Sequence, residues 1–406
     1  MNERTHWSTG GLPLPPPLAG VTVVSLEQAV AAPFATRQLA DLGARVIKVE
    51  RPGGGDFARR YDESVRGQSS YFVWLNRSKE SITLDVKTPA GREILTDLLQ
   101  RADVFVQNLA PGAAQRLSVD ADSLAAHHPR VIPCSISGYG TDGPWADRKA
   151  YDLMVQCETG LVSLTGSPDE PARPGISIAD IAAGMYAYTG ILTALYRRAT
   201  TGWVSSVDVS PFDALAEWLG SPLYYTKYAG EQPQRTGASH PTIAPYEPFT
   251  TADGDTLLLG IQNEREWQAF CAIVLDDENI ATDTRFATNP RRVAHRAELD
   301  ALIGARFATL PTDTAIALLD KATIANSRLN SVAEFLDHPV LAQRDRWRGI
   351  GTPNGPIEAL LPPAQLSNAE PVMGPVPAPG EHTGAILREL GRDEAHIAAL
   401  RDEGVI

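Results

Sequence analysis

Asp180 is the residue whose surroundings best suit covalent chemistry. It follows the Pro/Gly-rich loop SPDEPARPG and precedes the apolar periodic run Ile181 to Tyr196, where a helix N-terminus belongs. Backbone N–H groups and the helix dipole hold a carboxylate firmly at such a place. A plain helix cap occupies the same place, so position alone leaves both a reacting group and a structural cap open. Glu27 follows the first strand-like run and is a second carboxylate that could face a cleft. The run Gly53 to Gly55 comes after a strand rather than between strand and helix, so it lacks the context of a dinucleotide fingerprint and reads as a tight turn near a ligand. Cys134, Cys157 and Cys271 are too few and too scattered for a disulfide framework or a zinc cluster, and each reads as a small core residue.

The elements that must position these residues alternate between strand and helix. Val21 to Leu26 reads as a buried strand, Pro33 to Leu42 as a helix stopped by Gly43, and Arg45 to Glu50 as a second strand. Thr88 to Arg101 follows as an amphipathic helix, then strands Asp103 to Gln107 and Val131 to Ile136, and a long helix Ile181 to Arg198. A strand Ser205 to Val209 and a helix Phe212 to Tyr228 complete the run. Such alternation implies a parallel sheet covered on both faces. The polar linker GEQPQRTGASHPTIAPY then changes the texture. Beyond it, Glu247 to Ile261 reads as a hairpin turning at Asp253-Gly254, Asn263 to Arg328 as mainly helical, and Glu334 to Gln343 as a helix. The Pro-rich stretch Thr352 to Gly380 should lie across another surface, since Leu360, Leu361, Val372, Met373 and Val376 need burial, and two short helices end the chain. The implied division is an arm over residues 1–20, a large domain over 21–228, a small domain over 229–330 and a segment over 331–406 that completes the large domain.

Composition narrows the function. A chain of 406 residues, 43% hydrophobic and 21% charged, has material for two soluble domains. Its formal net charge of −13 argues against a nucleic-acid binder and offers no long-range steering toward an anionic ligand. Any phosphate must be met locally. No apolar run approaches a membrane span, the opening MNERTHWSTG lacks a signal-peptide core, and the sparse cysteines suit a reducing cytoplasm.

Several separated blocks resemble the family III CoA-transferases, such as formyl-CoA and carnitine CoA-transferases. They are QLADLGARVIKVERPGGGD, LNRSKESITLDVKTPAGRE, DVFVQNLAPGAAQRL, PRVIPCSISGYGTDGP, the stretch from Lys149 to Tyr196 and the tail GEHTGAILRELG. They occur in the family's order, and the resemblance spans about Leu18 to Ile406. It implies an α/β fold: a Rossmann-like open parallel sheet in a large domain, a smaller inserted α+β domain, and an interlocked-ring homodimer. It implies coenzyme A and acyl-CoA as substrates with a small carboxylic acid as acceptor, without a permanently bound cofactor or metal. It places the nucleophile on Asp180 and a second acidic position on Asp152, which would orient the site, meet the pantetheine arm or merely cap a helix. Contacts to the adenine and phosphates would fall on Gln28, Ala29, Arg51, Leu75, Lys79, Asn108, Leu109, Arg116 and Lys149. Arg and Lys supply charge-assisted bonds to phosphate, and Leu an apolar wall for a purine.

The departures from formyl-CoA transferases are also informative. Val30 stands where those enzymes carry Gln, and the region of their glycine-rich lid reads TGASHPTIAPY, which makes Ser239, His240, Thr242 and Tyr246 candidates for meeting a different acid. By the resemblance, Asp180 would attack the acyl-CoA thioester to give an aspartyl mixed anhydride, and then carry CoA as an aspartyl thioester. A related α-methylacyl-CoA racemase would need a His just before Asp152, where this chain has Tyr151. A silent CoA-binding protein on the same fold is the remaining alternative. Small dicarboxylates of the succinate, mesaconate or citramalate type fit the polar linker and the lack of a long apolar tract.

Overall fold

Short runs rich in branched apolar residues pair side by side in the computed structural model, which describes residues 14–406. The first thirteen residues of the predicted arm lie outside the described residues. The strands β1 (Thr22–Leu26), β2 (Arg45–Glu50), β3 (Lys79–Thr83), β4 (Val104–Gln107), β5 (Ile132–Ile136) and β6 (Val207–Val209) form one sheet in the order β3-β2-β1-β4-β5-β6. Every pairing is parallel. The order reverses direction between β1 and β4, and in such sheets ligands bind in the crevice at the carboxyl ends of the strands flanking that switch.

Alternate residues of each strand face opposite layers, which splits the core in two. Val24, Ile47 and Phe105 pack against Ile94, Leu98, Ile386, Leu387 and Leu400, so the two C-terminal helices Thr383–Glu389 and Glu394–Asp402 share one face with the helix Pro89–Gln100. Val23, Val46, Val104 and Ile132 pack against Ala35, Leu39, Ala183, Ala187 and Ile191 of the helices Ala31–Asp41 and Ile178–Thr201. The second of these helices is long and apolar enough to cross a membrane by composition. Its alanine-rich face is instead buried in this layer.

The Pro-rich stretch lies across the large unit, as its apolar residues require. Val372 N–H donates to Asp41 O at 2.8 Å, Ser78 N–H to Pro375 O at 2.8 Å, and Gly380 N–H to Ser81 Oγ at 2.8 Å. An unforeseen hairpin runs into it: β10 (Trp347–Ile350) lies just before the stretch and β11 (Ile357–Leu360) within it. The expected helix Phe212 to Tyr228 is two helices, Pro211–Trp218 and Gly220–Ala229, parted where Leu219, Gly220 and Pro222 cluster.

Two compact units emerge. One comprises residues 14–159 with Pro174–Gly220 and Asp345–Ile406, and the other Gly160–Arg173 with Ser221–Arg344. The second unit carries an antiparallel sheet β7 (Tyr246–Thr250), β8 (Thr256–Gly260) and β9 (Ala325–Arg328), with Asp253-Gly254 in the β7–β8 turn as predicted. Its core is aromatic, built on Trp267, Phe270, Phe286 and Phe307.

Candidate active site

The helix that carries Asp180 begins at Ile178, three residues earlier than its periodicity suggests. Asp180 therefore sits in the first turn rather than at the cap, and Ser177, which holds the cap position, makes no side-chain capping bond. The cap comes from elsewhere. Asp152, first residue of the helix Asp152–Glu158, accepts the N–H of Ala179 at 2.8 Å and of Asp180 at 3.2 Å through Oδ1. Its Oδ2 accepts Gln156 Nε2 at 2.6 Å. Asp152 is thus a cap, though of the second helix and not its own. Among the described residues, the Asp180 carboxylate takes no hydrogen bond. Burial, reinforced by the negative charge of Asp152, pushes the Asp180 carboxyl up to about 7.

A glycine one turn further on, Gly184, lets this helix pack closely on its neighbour. A Cβ at Gly184 would lie 2.7 Å from Ala31 O and 3.0 Å from Phe34, so the two helices touch backbone to backbone beside the loop after β1. Gly→Ala inside a helix ordinarily gains about 1 kcal/mol. Here Gly184→Ala is expected to cost about 1–3 kcal/mol in urea unfolding, by overpacking, and to slow turnover at least about tenfold by displacing Asp180.

The loop after β1 is held from two sides. Asn108, just past β4, accepts Gln28 N–H at 2.9 Å and donates its amide to Gln28 O at 2.8 Å. Ala29 adopts the left-handed conformation at φ 61° and donates its N–H to Asp56 Oδ1 at 3.1 Å. Gln28, Ala29, Asn108 and Leu109 are therefore brought together at the switch point. Beneath them lies a buried charge cluster. Lys48 Nζ meets Asp56 Oδ2 at 2.7 Å and Glu27 Oε1 at 3.5 Å, and Lys79 Nζ meets Glu27 Oε1 at 2.7 Å. Burial opposes the charge on Glu27, yet Lys79 and Lys48 bring its carboxyl below the usual range. Glu27 accordingly faces the interior ion pairs and not an open cleft. Gly55, at φ 59°, closes the turn behind β2 where a Cβ would meet Glu50 Oε2. Burial opposes ionisation of Glu50 as well, but Arg59 holds its carboxyl down at about 2.

The structure corrects two of the implied CoA contacts. Lys79 is 2% exposed, and its three donors go to Glu27, Pro33 O and Asn76 Oδ1, so no ammonium proton remains for a phosphate. Leu75 is fully buried and offers no outward wall to a purine. Arg51, Arg116 and Lys149 are exposed cations on loops or a helix end. In the second unit, His240 stacks on Tyr246 at 5.3 Å, while Arg296 donates to His240 O and Ile243 O, so this loop is held by its own unit. Tyr61 was not foreseen. Burial and the charges of Asp56 and Asp180 push its hydroxyl up to about 12, leaving a phenol donor in the field of Asp180. Gln156, also unforeseen, lies four residues after Asp152 and so on the same helix face, a spacing visible in the sequence once Asp152 is suspected.

The model of CoA-transferase family III matches residues 18–383. The chain is 34% identical over 395 residues to the succinyl-CoA:glutarate CoA-transferase of Mus musculus, covering 96% of this chain and 90% of that protein. It is 36% identical over 347 residues to the acetyl-CoA:oxalate CoA-transferase of Acetobacter aceti, covering 84% and 89%. A solved CAIB/BAIF family protein from Brucella suis superposes with a TM-score of 0.83 at 36% identity, covering 93% of this chain and all of that one.

Proposed function

Since the chain belongs to the family III CoA-transferases, we propose that Asp180 is the nucleophile that moves CoA from an acyl-CoA to a small dicarboxylic acid. The observation that carries this reading is the placement of its carboxylate: in the first turn of its helix, on a backbone held by Asp152, and free of hydrogen bonds among the described residues, with burial and the charge of Asp152 pushing it up to about 7. Carboxylates are weak nucleophiles in water, and burial with a raised basicity is what strengthens one.

In the forward half, an Asp180 oxygen bonds to the thioester carbonyl carbon, the C–S bond breaks and CoA leaves as its thiolate. The thiolate attacks the aspartyl carbonyl, the donor acid departs as a carboxylate, and Asp180 is left as a CoA thioester. The acceptor carboxylate attacks that carbonyl and expels the thiolate, giving a new mixed anhydride. Attack of the thiolate on the acceptor's acyl carbon then frees Asp180 and completes the new acyl-CoA. Retaining the thiolate locally replaces a bimolecular encounter. Gln28, Ala29 and Leu109 at the switch point, with exposed Arg51, Arg116 and Lys149, are the groups assigned to CoA. Asn108 acts through its hold on Gln28.

The relatives' names, succinyl-CoA:glutarate and acetyl-CoA:oxalate, support dicarboxylate acceptors. With succinyl-CoA or acetyl-CoA as donor, a panel of free acids should give turnover with short dicarboxylates at least about tenfold above that with long-chain fatty acids. Turnover confined to long-chain acids would contradict the substrate class. The working state is a homodimer, in keeping with the exposure of Tyr196 (72%) and Trp203 (71%) on the large unit. Light scattering should return the mass of two chains. Three free cysteines accord with a reducing compartment such as the cytoplasm.

A further inference from the structure

Gln156 is wholly buried, yet among the described residues its Oε1 has no partner. A Leu at this helix position would fill the space without leaving a buried acceptor unsatisfied, so the amide calls for an explanation in what its other end does. Nε2 donates to Asp152 Oδ2 at 2.6 Å, and the opposite oxygen of that carboxylate receives Ala179 N–H at 2.8 Å and Asp180 N–H at 3.2 Å. The start of the helix has no other side-chain cap, because Ser177 supplies none.

From this geometry we infer that Gln156 is a positioning residue for CoA transfer: it locks Asp152 across the backbone N–H of the nucleophile and does so without neutralising Asp152. The inference rests on the reading of Asp180 as nucleophile. Two hydrogen bonds through the Asp152 carboxylate link Gln156 to the backbone nitrogen of Asp180, fixing the turn from which the reacting carboxylate projects. The chemical type of the donor matters as much as its place. A Lys or Arg at residue 156 would hold Asp152 equally well but would cancel its charge, and that charge is one cause of the high basicity of Asp180. A neutral amide orients the carboxylate and leaves its field intact. The unpartnered Oε1 is consistent with this: the site accepts a buried carbonyl oxygen in order to keep an uncharged N–H donor.

The test compares Gln156→Leu, Gln156→Glu and Asp180→Ala in steady-state transfer over a pH series, with unfolding followed in parallel. Gln156→Leu should lower kcat about 10- to 100-fold with the KM for acyl-CoA within about threefold, the pattern of a misplaced reacting group rather than lost binding. Gln156→Glu should work within a few-fold of the parent at low pH, where its protonated carboxyl donates to Asp152. It should fall away as pH rises, when two carboxylates repel, whereas the parent gains rate. If Gln156→Leu does not fold, the profile of Gln156→Glu decides alone. A parental kcat in Gln156→Leu, or a parental profile in Gln156→Glu, with Asp180→Ala inactive, would overturn the role of Gln156 only. Transfer persisting in Asp180→Ala would overturn the nucleophile and this inference together.

Discussion

Asp180→Ala is expected to lower CoA transfer by at least about a thousandfold while leaving the affinity for acyl-CoA within about threefold, because the lost carboxylate forms the bond but does not hold the coenzyme. The parent should also titrate in a characteristic way. Its Asp180 reacts as the carboxylate, and burial with the charge of Asp152 places that carboxyl at about 7, so kcat/KM should rise with pH through about 7. Asp152→Asn keeps an acceptor for the N–H groups of Ala179 and Asp180 but removes the repelling charge, and should move the acid limb to lower pH. Stability carries the same signature with a defined sign. The folded value of Asp180 lies above an aspartate's ordinary 3.8, so its contribution is fully present below about 4 and lost as pH rises toward about 7. Asp180→Asn escapes that loss. Its unfolding free energy should exceed the parent's by a margin that widens from pH 5 to pH 8, reaching about 1–2 kcal/mol once solvent screening is allowed for. A parental rate in Asp180→Ala, or a margin that narrows with pH, would contradict the assignment.

The largest loss of stability is expected at Asp56. Its carboxylate and the Lys48 ammonium are both fully buried side chains 2.7 Å apart, and the same carboxylate accepts Ala29 N–H at 3.1 Å and Ala58 N–H at 2.9 Å. Asp56→Ala leaves Lys48 with only Glu27 at 3.5 Å and strands two N–H groups. Breaking a buried pair by removing one partner costs about 3–5 kcal/mol, far above an exposed pair at about 0–1 kcal/mol. Urea unfolding should show that loss. Ala29 would also be released from φ 61°, so the KM for acyl-CoA should rise along with it. Asp56→Asn, which keeps one acceptor for Ala29, should lose less on both measures. A cost below about 1 kcal/mol for Asp56→Ala would mean that the cluster is not what holds the loop.

How far the amino-acid sequence reveals this arrangement depends on the kind of interaction involved. The strands β1, β2, β4 and β5 are legible because their apolar runs are buried on both faces, and β2 spans Arg45–Glu50 as predicted. The strand β3 is not legible, since KESIT reads as a polar segment. Its Lys79 and Ser81 point inward to Glu27 and Glu50, so ion pairs and hydrogen bonds replace the apolar contacts that periodicity detects. The polar edge strand ANSR of β9 was hidden for a related reason: a half-exposed edge needs few apolar residues. Asp180 could be placed near a helix start from its flanks. That Asp152 caps this helix from 28 positions away could not, because no local rule links two elements that meet only in the fold. The buried state of Lys79 escaped for the same reason, and its matched motif pointed toward phosphate rather than toward Glu27.

The central claim is that Asp180 bonds to the acyl carbon and then carries coenzyme A. The most direct measurement is mass spectrometry of peptides from protein quenched after mixing with succinyl-CoA alone. A CoA adduct confined to the peptide bearing Asp180, and absent from Asp180→Ala, is the predicted result. Turnover proceeding with that peptide unmodified, or an adduct on a different carboxylate, would contradict it.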